Sequence, residues 1–205
     1  NKKVIKIDTA SQVVFFKDGS IQKYNKLISS IPLPEYERLI GSMPSKVRKA
    51  CQSLKYTSVA LVSIGLCKPN LPKYLWFYIY DSSILASRCY SPSMKSIENV
   101  PKGCSSFQFE IYFSKDMPLD LTKNKLIEHI IKKSENMGLF SKEDVIVKDF
   151  RILEYGNVIF NHGMEKNRKI VLNFLKNNDI DSIGRFGKWG YLWSDQSLLS
   201  GIPND

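Results

Sequence analysis

The chain has 205 residues, enough for one or two domains with a true hydrophobic core. Apolar residues make up 43% and charged residues 24%, which excludes a disordered or collagen-like chain. No apolar run reaches the about 18 residues a membrane helix needs, and Asn1-Lys2-Lys3-Val4 has no signal-peptide core.

The net charge is +10, from 30 basic and 20 acidic residues. Lysine supplies 24 of the basic residues, and they are scattered along the chain. Nucleic-acid binders concentrate Arg and Lys in a stripe. The densest stretches, Lys46-Val47-Arg48-Lys49 and Lys166-Asn167-Arg168-Lys169, fall on helical segments and read as solvated faces. The charge favours an anionic small ligand over nucleic acid. Cys51, Cys67, Cys89 and Cys104 show no CxxC spacing and read as free thiols in a reducing, cytoplasmic setting. His129 and His162 stand in unrelated contexts, so no metal site is expected.

The first 31 residues read as β-structure. Val4 to Ile7 is a strand, and Asp18-Gly19 between Val13–Phe16 and Ile21–Tyr24 signals a two-residue hairpin. Leu27 to Ile31 is a strand stopped by Pro32. Glu35 to Ile40 is a short helix, and Ser42-Met43-Pro44 opens a second that runs to Leu54. Val59 to Cys67 is short and nearly all apolar, which suits a central strand buried on both faces. Tyr74 to Tyr80 is an aromatic strand read as core, and Ile84 to Tyr90 pairs beside it. Arg88 and Arg151 fall on strands; either could face an anionic substrate, though a structural role is the leading reading. Phe107, Phe109, Ile111 and Phe113 alternate with polar residues and Tyr112, the clearest strand in the chain. Leu126, Ile127, Ile130 and Ile131 mark a helix ending near Gly138. Val145 to Leu153 is a strand, Ile170 to Leu175 a helix, and Ile180 to Ile183 a short strand. Ser194-Asp195 reads as the cap of a last helix, Gln196 to Ser200.

Two segments carry the functional reading. They are Lys23-Tyr24-Asn25-Lys26-Leu27-Ile28-Ser29-Ser30-Ile31-Pro32-Leu33, and the stretch Gly184-Arg185-Phe186-Gly187-Lys188-Trp189-Gly190-Tyr191-Leu192-Trp193-Ser194-Asp195-Gln196. Arg185 offers a planar five-donor fork suited to a diphosphate, and Tyr191 a hydroxyl. Gly184 leaves room for close backbone approach. Ser194 and Asp195 begin a helix whose free N–H groups favour negative charge.

In order and spacing these segments resemble the C-terminal part of flavin-containing amine oxidase and protoporphyrinogen oxidase-like flavoproteins. The pattern is most similar to UDP-galactopyranose mutase-like proteins of polysaccharide and lipopolysaccharide biosynthesis. The resemblance spans about Val4 to Gly201. It implies an α+β fold: a mixed, largely antiparallel sheet with helices packed on one side, the substrate domain of an FAD-linked oxidoreductase. Residues 1–34 would be a β-meander and strand on the FAD-domain side, 35–179 the substrate-binding domain, and 180–205 the return segment. Arg185 and Tyr191 would contact a substrate diphosphate, and Gly184, Ser194, Asp195 and Gln196 would lie at the cofactor. FAD and a nucleotide-sugar or other anionic substrate are expected of the full-length protein, through a sugar-nucleotide mutase or an oxidase reaction.

The family's Gly-x-Gly-x-x-Gly fingerprint, which grips the FAD pyrophosphate, does not occur in the chain. Together with the lack of an initiator Met, this leads us to expect a piece lacking the N-terminal Rossmann half, with no FAD bound by the piece alone. The pattern also departs from the family. Trp193 stands where mutase-like members have Asp or Asn, Ser194 where they have Met, and Glu154-Tyr155-Gly156-Asn157-Val158 lacks the family's proline. The competing reading is a non-enzymatic basic module for nucleic acid or another acidic partner.

Overall fold

The computed structural model describes residues 2–202. In chain order the elements are β1 (Val4–Asp8), β2 (Val13–Phe16), β3 (Ile21–Lys23), β4 (Leu27–Ser29), α1 (Tyr36–Leu39), α2 (Ser45–Gln52), β5 (Tyr56–Leu66), β6 (Trp76–Tyr78) and β7 (Arg88–Tyr90). There follow α3 (Pro92–Lys95), β8 (Ser105–Phe113), α4 (Lys123–Asn136), β9 (Val145–Val158), α5 (Met164–Lys176), β10 (Ile180–Ser182), α6 (Gly184–Gly187) and α7 (Ser194–Leu199). The fold is α+β with mostly antiparallel strands, as expected. Two compact units divide at Tyr56/Thr57 and at Gly156/Asn157. The boundaries at 34 and 179 read from the sequence separate roles; these separate packing.

The first unit joins the chain's two ends. β1, β2 and β3 form an antiparallel meander. The Asp18-Gly19 signal does mark its hairpin, but the loop is three residues long, not two. The Phe16 N–H bonds the Ser20 carbonyl at 3.0 Å, and Gly19 takes φ +82°. A type I turn followed by a left-handed residue is the usual three-residue solution. β4 pairs in parallel with β10, α2 packs on α5, and α5 packs on β10. Leu33, Tyr36, Ile40, Cys51, Val171, Leu175 and Trp189 are fully buried there.

The second unit is a five-stranded sheet in the order β6-β7-β8-β5-β9. β8 behaves as its period of two predicts. Phe107, Phe109 and Ile111 pair with Ile64, Val62 and Ala60 across the ladder, and all six are buried. Leu126, Ile127, Ile130 and Ile131 of α4 pack on that face. β5 is central, but only this face is buried along its length; on the other face Val59 is buried while Leu61, Ser63 and Gly65 are half-covered, which corrects the expectation of burial on both faces. The aromatic run also needs correction. Phe77 and Ile79 pack on the core, while Trp76, Tyr78 and Tyr80 are exposed. Alternation along a strand sends every second ring to the opposite face, and α4 covers one face alone.

On the other face Glu110 is buried and bonded on both oxygens. Arg88 Nε donates to its Oε2 at 3.0 Å and Nη2 to its Oε1 at 2.7 Å, and the Tyr112 hydroxyl donates at 2.6 Å. Burying a carboxylate is tolerable only with such satisfaction. Arg88 is therefore structural, as read.

Candidate functional site

The two functional segments meet in the first unit. Leu27, Ile28 and Ser29 face Ile180, Asp181 and Ser182, and the Ile183 N–H continues the ladder to the Ser29 carbonyl at 2.9 Å. The turn at Ser30-Ile31-Pro32 and the turn opening at Gly184 thus leave the same ends of two parallel strands. In open sheets that end is where ligands gather.

Gly184 has φ +72°, a conformation that L side chains rarely adopt. A Cβ there would meet Ser30 only at 3.9 Å, so backbone conformation, not space, calls for glycine. Its N–H donates to Ser200 Oγ at 2.7 Å, and that hydroxyl donates to the Ser197 carbonyl at 2.7 Å. The close approach is at Gly187 instead. A Cβ there would stand 3.2 Å from the Ser29 carbonyl oxygen and 3.3 Å from Ser30 Cα. Sequence reading assigned Gly187 no such task.

Arg185 projects from α6. Its Nη1 donates to the Leu192 carbonyl at 3.2 Å, and its Nη2 donates to Asn157 Oδ1. Its guanidinium carbon stands 4.4 Å from the Tyr191 ring centroid. Arg185 Nε is buried with no hydrogen-bond partner among the described residues. Every partner named here is electrically neutral. The other arginines differ: Arg38 pairs with Glu35, Arg48 with Glu37, Arg88 with Glu110, Arg151 with Asp149 and Arg168 with Glu165. Among the described residues, Arg185 alone of the six lacks a carboxylate partner.

The two basic stretches turn out to be anchors at their arginines. Arg48 donates to the Glu37 and Gly41 carbonyls, both at 3.0 Å, and Arg168 donates to the Lys188 carbonyl at 3.1 Å. The Lys188 contact ties α5 to the turn that follows Arg185. The lysines of both stretches are exposed, as read.

Ser194 and Asp195 are exposed at the start of α7, but they do not cap it. Trp193 holds the cap position, and its N–H donates to Gln196 Oε1 at 2.9 Å. The side chain three residues on closes the helix start, a role sequence alone gave to Ser194-Asp195. Trp189 is buried beneath, edge-on to Tyr56 at 6.1 Å, and takes φ +51°. His129 Nε2 accepts the Leu85 N–H at 3.2 Å, and burial depresses its pKa. Among the described residues, no group of His, Cys, Asp and Glu could hold a metal ion, and no helix is long and apolar enough to cross a membrane.

No family model matches the chain, and no curated protein matches it by sequence. Solved structures do match its fold. The chain has the fold of part of the flavin-containing amine oxidase superfamily, so the resemblance read from the sequence holds. A reduced UDP-galactopyranose mutase superposes with a TM-score of 0.83 at 26% identity, over 92% of this chain and 41% of the mutase. A protoporphyrinogen oxidase-like protein from an Exiguobacterium species gives 0.65 at 10% identity, over 84% of this chain and 38% of that protein. A fatty acid isomerase from P. acnes that produces CLA gives 0.61 at 10% identity, over 91% of this chain and 44% of the isomerase. The chain therefore spans about two-fifths of the length of each. At 10% identity the last two speak to fold alone.

Proposed function

We propose that this chain supplies substrate binding to an FAD-dependent protein of polysaccharide biosynthesis, and that its ligand is a nucleotide-sugar or a related diphosphate. One observation carries the reading: Arg185 keeps an uncompensated positive charge, held by neutral acceptors and braced on Tyr191. A buried or half-buried cation with no carboxylate beside it favours an anionic ligand. The similarity to the mutase supports a nucleotide-sugar over other diphosphates. The four free thiols favour a reducing, cytoplasmic setting.

Arg185 would hold the diphosphate through its remaining N–H groups, with Tyr191 donating a hydroxyl beside it. FAD would supply the redox-active ring of the reaction when bound. The start of α7 would lie at an edge of that ring. The first-turn amides of α7 at Ser194 and Asp195 point out of the helix start, as such amides do. Gly184 and Gln196 shape the turn and the cap on either side. Nucleic acid fits poorly, because five of the six arginines are already ion-paired.

Titration calorimetry with UDP, UDP-sugars and inorganic diphosphate tests this. Arg185→Ala should weaken UDP binding by about 1.5–3 kcal/mol, the usual size of a charge-assisted hydrogen bond. Arg185→Lys should recover only part, because an ammonium lacks the fork. No binding by the wild type, or equal binding by all three proteins, would end the proposal.

A further inference from the structure

Two of the four thiols meet across the five-stranded sheet, although no sequence spacing pairs them. β5 and β8 run antiparallel, and their register sets Gly65 opposite Ser106 and Leu66 opposite Ser105. One residue further along, Cys67 stands opposite Cys104. The backbones stay together past the ladder, because Ser105 Oγ donates to the Lys68 carbonyl at 2.7 Å. Ser105 thus holds the residues on both sides of Cys67. The two cysteines also share a face. Leu66 and Phe107 point into the core under α4, so the period of two places Cys67 and Cys104 on the opposite side. Cys89 instead pairs with Phe109 and is buried in that core, and Cys51 belongs to the first unit.

The pair is of the closer kind. The Cys67 N–H donates to the Asp144 carbonyl at 2.9 Å, toward β9, and the Cys104 N–H donates to the Pro101 carbonyl at 3.0 Å. Neither N–H is spent between β5 and β8. Opposed residues whose backbone groups point away from each other form the non-hydrogen-bonded pair, with Cα atoms about 4.5 Å apart. A disulfide spans Cα separations of about 4.4–6.8 Å.

We infer that Cys67 and Cys104 form a two-thiol site, which a small-molecule disulfide closes reversibly into a cross-strand bond. Cys67 is exposed and Cys104 half-buried, so attack starts at Cys67. Its thiolate takes one sulfur of the small disulfide, the old S–S bond breaks, and one small thiolate leaves with the electron pair. The Cys104 thiolate then attacks the Cys67 sulfur and expels the second. Two protein thiols are oxidised with loss of two protons, and the small disulfide is reduced to two thiols. Excess thiol reverses both exchanges. The product ties the end of β5 to the start of β8 and closes a ring around residues 68–103, which include β6, β7 and α3. Both cysteines belong to the second unit, so the pairing depends on contacts within that unit alone.

Oxidised glutathione on the native 205-residue chain tests this, read by intact mass and by non-reducing peptide maps. The wild type should lose two hydrogens, retain no glutathione and yield one linked peptide pair holding Cys67 and Cys104. Dithiothreitol should restore both thiols. Cys104→Ser removes the resolving thiol, so it should retain glutathione on Cys67 at least tenfold more than the wild type does. The wild-type result stands whether or not the variant folds. A wild type that keeps glutathione on Cys67, that stays unmodified, or that links either residue to Cys51, Cys89 or a second chain would overturn the inference.

Discussion

The guanidinium carbon of Arg185 lies 4.4 Å from the ring centroid of Tyr191, so the two residues singled out for one ligand are stacked on each other. They are six positions apart, and the α6 turn with its buried Trp189 folds the chain back to bring them together. A cation over an aromatic face gains about 0.5–1 kcal/mol at an exposed site. Tyr191 therefore has two separable tasks, as a brace through its ring and as a donor through its hydroxyl.

Those tasks come apart by substitution. Tyr191→Phe keeps the ring and should leave Arg185 in place, so any loss of UDP affinity measures the hydroxyl. Tyr191→Ala removes the brace as well. It should cost about 0.5–1 kcal/mol more than Tyr191→Phe, by the same cation–π estimate. Calorimetry on both variants reads the difference. Equal losses would mean that the ring does no positioning.

Asn157 anchors Arg185 without a charge of its own. Its side-chain oxygen accepts from Arg185 Nη2 without neutralising it. Asn157→Asp turns that contact into an ion pair of nearly unchanged shape. Thermal stability should hold or rise, while UDP affinity falls about tenfold or more, because the anion must then compete with a resident carboxylate. A variant that binds UDP as the wild type does would show that the cation at 185 does not meet the ligand.

Glu110 supports the second unit without touching this chemistry. Arg88 and Tyr112 both donate to its carboxylate. Glu110→Gln leaves the Arg88 fork half-satisfied on a sheet face. Arg88 is partly solvated, so the cost should be about 1–3 kcal/mol, less than for a fully buried pair. Urea unfolding reads that loss. Binding of UDP should not change.

Periodicity made much of the fold legible. β8 and α4 could be read because Phe107, Phe109, Ile111 and Leu126, Ile127, Ile130, Ile131 repeat at two residues and at one helical face. The aromatic run is not legible from composition, because alternation places Trp76 and Tyr78 on the uncovered side. In the site, Gly184, Arg185 and Tyr191 stood out as a contiguous motif. Asn157 did not, because it lies 28 positions from Arg185 and no local pattern marks an amide that will accept from a distant guanidinium. Gly187 was equally hidden, since its task depends on where the Ser29-Ser30 backbone runs. The cap at Trp193 was missed because Ser-Asp is the commoner cap signal, whereas here the Gln196 side chain closes the turn.

The four cysteines should report on the packing through their reactivity. Thiolate is the reactive form, so exposure and pKa decide the rate. Cys67 is exposed, Cys104 half-buried, and Cys51 and Cys89 are fully buried. Burial pushes the Cys51 thiol from its ordinary 9.0 up to about 12, and burial raises Cys89 as well. In native protein a disulfide reagent should therefore label Cys67 first and Cys104 more slowly, with Cys51 and Cys89 silent until urea unfolds the chain. The same burial fixes an alkaline limit. Above pH 9 the unfolded chain loses the Cys51 proton while the folded chain keeps it, so the unfolded state binds fewer protons and stability falls as pH rises toward about 12. Below pH 9 both states hold the proton and Cys51 contributes no slope. Cys51→Ala should lower stability at neutral pH by opening a small cavity, yet flatten the decline above pH 9, so that the two curves converge as pH rises. Urea midpoints from pH 7 to 11 on both proteins would measure it, and parallel curves would show that Cys51 adds nothing to the alkaline limb, to which buried Cys89 also contributes.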